Sequence, residues 1–256
     1  VIISPIRVEY DDHMGSDLTC VNAARASFGK KSAFITPADE RLIQFLARGY
    51  TTDQWDALAE ELMGMEDPKD VQRLLFEVKN HAQHWAPFAH PHLSIRLKAP
   101  IFVVRQLAKH QVGGVWSEVS RRYVDEEPEL WFENELHKRP VGNIKQGAST
   151  DVTHEPMIRL NNDHIGYDRF DIAQINVDWY MQAIKDGVAP EEAREHLPLN
   201  MHTEWLWTGS LLFFARVCNQ RLDPHAQAAT REVAAAIHPI LAEHFPISTA
   251  ALVRNP

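Results

Sequence analysis

A helix-rich α+β fold in a single domain over residues 1–256, with a small central antiparallel or mixed sheet, is what this sequence predicts. Two observations carry that expectation. Most apolar residues recur at helical spacing inside stretches with recognisable caps, whereas only two short segments alternate with the two-residue period of a strand. So few strand signals cannot supply the repeated strand–helix units of a doubly wound sheet.

Ile3 to Tyr10 alternates loosely and reads as the first strand. Ser16 caps a helix through Ser27 that Gly29 stops. Thr36-Pro37 with Asp39 and Glu40 starts a second helix, ending at Gly49. Thr52 to Met63 and Asp67-Pro68 to His81 read as two amphipathic helices, with Leu62, Leu74, Leu75 and Val78 as an inward stripe. From His92 to Leu97 the period changes to two, giving a strand, and Pro100 then opens a helix from Ile101 to about Gln111 that Gly113-Gly114 breaks. Val124 to Leu160 is rich in Pro, Gly, Asn and charge and reads as an excursion, with a short helix over Glu129 to His137. Helices follow over Asp163 to Asp186, Thr203 to Asn219 and Pro224 to His244.

The composition excludes several function classes. No apolar run reaches the roughly 18 residues of a membrane span, and the first ten residues lack the basic start of a secretory signal. Cys20 and Cys218 are the only cysteines, which rules out a disulfide framework and a multi-cysteine zinc site and suits a reducing, cytoplasmic location. His81, His84, His90 and His92 lack a completing Cys or paired carboxylate, and Pro87 and Pro91 break their spacing, so no metal site is expected. A net charge of −9 argues against coating nucleic acid. Locally the sign inverts: Arg96, Lys98, Arg105, Lys109, Arg121 and Arg122 stand against Glu118 alone between Ser94 and Tyr123. A basic pocket on an acidic protein suits a small anion.

Chemistry concentrates in that stretch. On the helix from Ile101, Arg105 and Lys109 are four apart and share a face, with Gln106 and His110 beside them. After the Gly pair come Glu118, Ser120, Arg121 and Arg122, closed by Tyr123. Cationic forks, a hydroxyl and a carboxylate beside a Gly turn can hold a phosphate and a sugar. An ordinary solvated, ion-paired helix face has the same spacing. A non-catalytic binder of nucleotide or single-stranded nucleic acid, stacking bases on Trp116 and Tyr123, is a second reading. For both rings, burial in the core is the simpler expectation. Cys218 in a helical pattern reads as a small buried residue.

KAPIFVVRQLAKHQ followed by SEVSRRY (Lys98 to Gln111, Ser117 to Tyr123) resembles the signature of flavin-dependent thymidylate synthases. HWAPFAH (His84 to His90), AREHLPLN (Ala193 to Asn200) and RLDPHAQ (Arg221 to Gln227) resemble further motifs of that family, in order. The resemblance implies that family's fold, a homotetramer with active sites between subunits, FAD as cofactor, and NADPH and methylenetetrahydrofolate as co-substrates that turn dUMP into dTMP. It implies nucleotide contacts at Gln106, Lys109, Glu118, Ser120, Arg121, Arg122, Arg194 and Arg221, with Arg122 on phosphate and with Arg221 and Ser120 as the catalytic positions. It implies flavin or folate contacts at His84, Ala86, Lys109, His110, Gln111, Glu118, Ser210, Arg216 and His225. Against the family pattern, Lys-His-Gln stands for Arg-His-Arg at Lys109 to Gln111, and Ala86 and Ala89 replace a hydroxyl and a Glu. These departures touch the flavin side more than the nucleotide side, and they keep dCMP as substrate, or a hydroxymethylated product, as alternatives.

Overall fold

The chain threads a four-stranded antiparallel sheet through a cluster of helices, as seen in a computed structural model that describes residues 1–80, 84–142, 148–159 and 166–254. The strands are β2 (Arg7–Met14), β3 (His92–Pro100), β4 (Gly114–Glu118) and β6 (His202–Ser210), in the spatial order β2-β3-β6-β4. A separate parallel pair joins β1 (Ile2–Ile3) to β5 (Glu129–Leu130). The expected helix-rich α+β class therefore holds.

The sheet's inner face follows from the register. Ile95 pairs with Trp207 and Leu97 with Trp205, while Trp116 of β4 pairs with Trp207 from the other side. Leu93, Ile95, Leu97, Trp205 and Trp207 are all buried there, and Trp116 stacks on Trp205 at 4.6 Å. Alternating large residues on one face of paired strands are the unit of sheet stabilisation. α8 (Leu211–Arg221) leaves β6 directly, capped by the Ser210 hydroxyl, and lays Phe213 and Phe214 against Trp207. α9 (Ala228–His244) packs beside α8, and α10 (Pro246–Leu252) closes over α2 (Pro37–Arg48).

The N-terminal helices start and stop for local reasons. α1 spans Asp17–Ala26 after Ser16, and α2 spans Pro37–Arg48. At the start of α2 the Asp39 amide donates to the Thr36 hydroxyl while the Thr36 amide donates to Asp39, so each satisfies a donor the other leaves. Gly49 ends it with φ +78°, which a residue with a Cβ adopts only at a cost. α3 (Thr52–Gly64) and α4 (Pro68–Asn80) form as expected, but their stripe does not enter the core. Leu75 is exposed, and Leu62, Leu74 and Val78 are only half-buried.

Several expectations need correction. The helix from Ile101, α5, ends at Leu107, so Lys109, His110 and Gln111 sit in the turn beyond it and Lys109 does not share a helix face with Arg105. Ser117 and Glu118 belong to a strand that period counting missed. Glu129 to His137 is not a helix: Glu129 and Leu130 pair with Ile2 and Ile3 instead. Thr203 to Ser210 is strand, with helix only from Leu211. α6 runs over Arg169–Lys185, and the expected start at Asp163, like His81, lies outside the described residues. The short α7 (Pro190–Ala193) and a 3-10 turn over Arg194–His196 follow. Among the described residues no helix is long and apolar enough to cross a membrane.

Candidate active site

Two cavities frame the candidate residues. The smaller, about 390 Å³, is lined by Glu118, Ser120, Arg121, Arg194 and Thr203, with Ile101 and Met201 among its apolar walls. β4 brings Glu118 to it and the turn after β4 brings Ser120. There the Ser120 carbonyl accepts from the Tyr123 amide at 2.9 Å. The 3-10 turn at Arg194 supplies the opposite wall, 73 positions along the chain from Arg121. Both oxygens of Glu118 are held: Thr203 Oγ1 donates to one at 2.9 Å and Trp116 Nε1 to the other at 3.2 Å. A carboxylate fixed this way presents a defined acceptor to a ligand.

The cations divide by partner. Arg96 pairs with Asp11, buried Lys98 with Glu129 and Glu204, and Arg122 with Glu191, so half of the basic stretch is compensated by carboxylates from elsewhere. Arg121 and Arg194 differ. Arg121 donates to the Glu126 carbonyl and lies 5.9 Å over the Tyr180 ring, and Arg194 donates to the Glu191 carbonyl at 3.2 Å. Neither has a carboxylate partner among the described residues. Two uncompensated guanidinium groups beside a hydroxyl make an anion site.

Arg221, at the end of α8, forms the second centre. Its Nε donates to His110 Nε2 at 2.9 Å, and its Nη2 to the Gln106 carbonyl at 3.1 Å. Burial, and then the guanidinium beside it, push the His110 pKa down to about 4, so the ring is neutral and carries its proton on Nδ1. Burial also lowers the Arg221 pKa, from a value high enough that the group stays charged. The result is a half-buried cation held by neutral partners. Next to it the Gln106 amide meets Gln227, and Gln227 lines the larger cavity, of about 1030 Å³, walled by Trp131, Phe132, Tyr167, Glu133 and Arg231. Those aromatic walls fit a flat ring system.

A family model described as thymidylate synthase complementing protein matches residues 11–247. The chain belongs to that family. Among its relatives, the flavin-dependent thymidylate synthase of Thermosipho africanus is 27% identical over 239 residues, covering 92% of this chain and 85% of its own. That of Thermus thermophilus is 29% identical over 240 residues, covering 94% and 73%. A crystal structure of a UMP/dUMP methylase, PolB from Streptomyces cacaoi, bound with 5-Br dUMP, superposes with a TM-score of 0.69 at 22% identity, covering 100% of this chain and 99% of that one. The latter likeness is one of fold.

Within this family member, the residues expected from sequence are distributed unevenly. Glu118, Ser120, Arg121 and Arg194 share the smaller cavity, whereas Arg122 lies outside it. Gln106, His110 and Arg221 share the second centre. Lys109 and Gln111 are exposed in the turn between α5 and β4. Ser210 is buried and caps α8, close to Gly113, which has φ +92°. Gly114 and Gly209 admit no side chain, since a Cβ would lie 2.6 and 2.3 Å from the Phe213 ring. His84, Ala86, Arg216 and His225 are exposed and line neither cavity, and His225 bonds Asp223 at 2.9 Å. Tyr123, expected in the core, is 79% exposed.

Thr203, which anchors Glu118, was missed because its segment reads as helix. The signal was present in Thr203, Trp205 and Trp207, which alternate at period two. Both cysteines are buried, and burial raises each thiol to about 12, so neither is a thiolate at neutral pH.

Proposed function

We propose that this chain is a flavin-dependent thymidylate synthase, moving the methylene of methylenetetrahydrofolate onto dUMP, with reducing equivalents from NADPH, to give dTMP and tetrahydrofolate. The observation that carries the reading is the cavity where Arg121 and Arg194, without carboxylate partners among the described residues, meet Ser120 and Glu118. A nucleotide monophosphate is a dianion with hydroxyls, and this donor set matches it. The names of the relatives support the same activity.

Arg221 suits the uracil. A fixed cation whose partners are neutral keeps its field for charge that develops on the ring, and an ionised imide raises electron density at the carbon to be methylated. His110 aligns the guanidinium without adding a charge that would repel it. The chain offers no thiolate nucleophile, so activation through a covalent cysteine adduct is not available to it.

The residues fit FAD on the chemistry of the donors. Lys109 and Arg216 are exposed cations with no ion pair among the described residues, as a diphosphate requires. We assign flavin contacts to Lys109, His110, Gln111, Ser210 and Arg216, with His84, Ala86 and His225 beside flavin and folate. Bound FAD supplies the hydride that this chain's side chains cannot. Since His84, Ala86, Arg216 and His225 line neither cavity of the single chain, a homotetramer that completes each site across subunits accounts for them.

Incubation with FAD, NADPH, methylenetetrahydrofolate and either dUMP or dCMP, followed by product analysis, tests the reading. dTMP from dUMP is expected. Turnover of dCMP alone, or a hydroxymethylated base, overturns it.

A further inference from the structure

The geometry points to Thr230 as a positioning residue that sets which pyrimidine the site accepts, an inference that rests on the thymidylate synthase reading. Thr230 lies in the first turn of α9 with no exposed surface. Its hydroxyl donates to Gln106 Oε1 at 3.2 Å, and Gln106 Nε2 donates to Gln227 Oε1. The carbonyl of the same Gln106 accepts from Arg221. One glutamine therefore links a buried hydroxyl to the cation of the nucleotide site.

A carboxamide turned over keeps its shape but exchanges its acceptor for two donors. The contact between Gln106 and Gln227 is satisfied in either sense, provided both amides turn together. Thr230 breaks that tie. With Gln106 turned over, the hydroxyl accepts from Nε2 and its own hydrogen loses its acceptor, because Oγ1 has no other hydrogen-bond partner among the described residues. An unpaired donor at a fully buried position disfavours that arrangement by about tenfold or more. Valine fills the same space without this constraint, so packing alone does not call for a hydroxyl here.

The consequence falls on the ligand. Held by Thr230, Gln106 spends one Nε2 hydrogen on Gln227 and has the second for a base beside Arg221. Uracil carries a carbonyl next to its imide nitrogen and accepts that hydrogen. Cytosine carries an amino group at the same place and sets donor against donor. A site built to make a hydrogen bond rejects the analogue that cannot complete it.

Dissociation constants of dUMP and dCMP for the full-length flavoprotein, wild type and Thr230→Val, Thr230→Ala and Thr230→Ser, test the role. We expect the preference for dUMP over dCMP to fall about tenfold in the Val and Ala variants and to be retained in Ser, whose hydroxyl reaches the same amide. The Ala variant adds no bulk and serves if Val does not fold. An unchanged preference in the Val or Ala variant overturns the proposal, as does equal weakening of both nucleotides, which marks a purely structural residue. A wild type without preference overturns it too. A wild type that prefers dUMP yet forms no dTMP overturns the thymidylate synthase reading alone, since the binding ratios still judge Thr230.

Discussion

Arg221 Nε donates to His110 Nε2 across 2.9 Å, so a permanent cation is aligned by a ring that must stay neutral to accept from it. The neutrality has a pH signature. Free histidine titrates near 6.5, but burial and the guanidinium lower His110 to about 4. Between those values the unfolded chain binds the proton more strongly than the folded one. The His110 contribution to stability is therefore complete above about pH 6.5 and is lost as pH falls towards 4. Urea midpoints measured from pH 8 to 4 are expected to fall across that window. In His110→Gln, which keeps an acceptor but cannot titrate, part of the fall disappears. His202, also lowered chiefly by burial, accounts for a remainder common to both proteins. Identical pH profiles for the two proteins contradict this assignment.

Truncating the other partner tests the electrostatic role. Arg221→Ala leaves His110 and the Gln106 carbonyl without their donor and removes the charge proposed to face the base. We expect dUMP turnover, as kcat/KM, to fall by about 10²-fold or more, with flavin absorbance retained. Arg221→Lys should recover little, because an ammonium cannot span an imidazole nitrogen and a carbonyl with one planar fork. Unchanged dUMP binding in the Ala variant contradicts the role given to Arg221.

How far the sequence foretold this site depends on the range of each interaction. Ser16, Thr36 and Gly49 act within one turn of chain, and the helices they bound are where local patterns put them. β6 was misread because Trp205, Leu206 and Trp207 run on, after only Thr208, Gly209 and Ser210, into the apolar Leu211 to Phe214. The strand is covered by other strands on both edges, so its period of two is masked by the continuous run that becomes α8. Lys98 shows the limit for charge. It counts as basic in sequence, but the ladder sets it opposite Glu204 and β5 brings Glu129, which consumes the charge. Likewise Arg121 and Arg122 are adjacent and alike, yet one finds a main-chain carbonyl and a ring while the other finds Glu191. Contacts made across long stretches of chain leave no periodic trace.

The cysteines separate this chemistry from a thiolate mechanism. Cys218 is fully buried in α8 with its thiol pushed up to about 12, so it has neither the access nor the ionisation of a nucleophile. Cys218→Ala is expected to keep kcat for dTMP formation within about twofold while costing about 1 kcal/mol of stability. Activity assays beside thermal melts check both halves. Loss of turnover in a protein that melts normally would contradict the flavin route.

The ion pair between Arg122 and Glu191 gives the sharpest test of the phosphate end. Nε and Oε2 stand 3.2 Å apart, with both side chains about half exposed at 52% and 56%. Pairs of that exposure contribute roughly 0.2–1 kcal/mol, so Glu191→Gln should leave the melting behaviour nearly unchanged. Binding should respond differently. If Arg122 takes the phosphate, Glu191 competes for the same guanidinium and repels the incoming dianion. Removing its charge should then tighten dUMP by about two- to fivefold at low salt, and the gain should shrink as ionic strength rises. Calorimetric titration of both proteins at two salt concentrations measures this. Equal affinities at low salt mean that the phosphate sits with Arg121 and Arg194 in the smaller cavity, and that Arg122 is an ordinary surface cation.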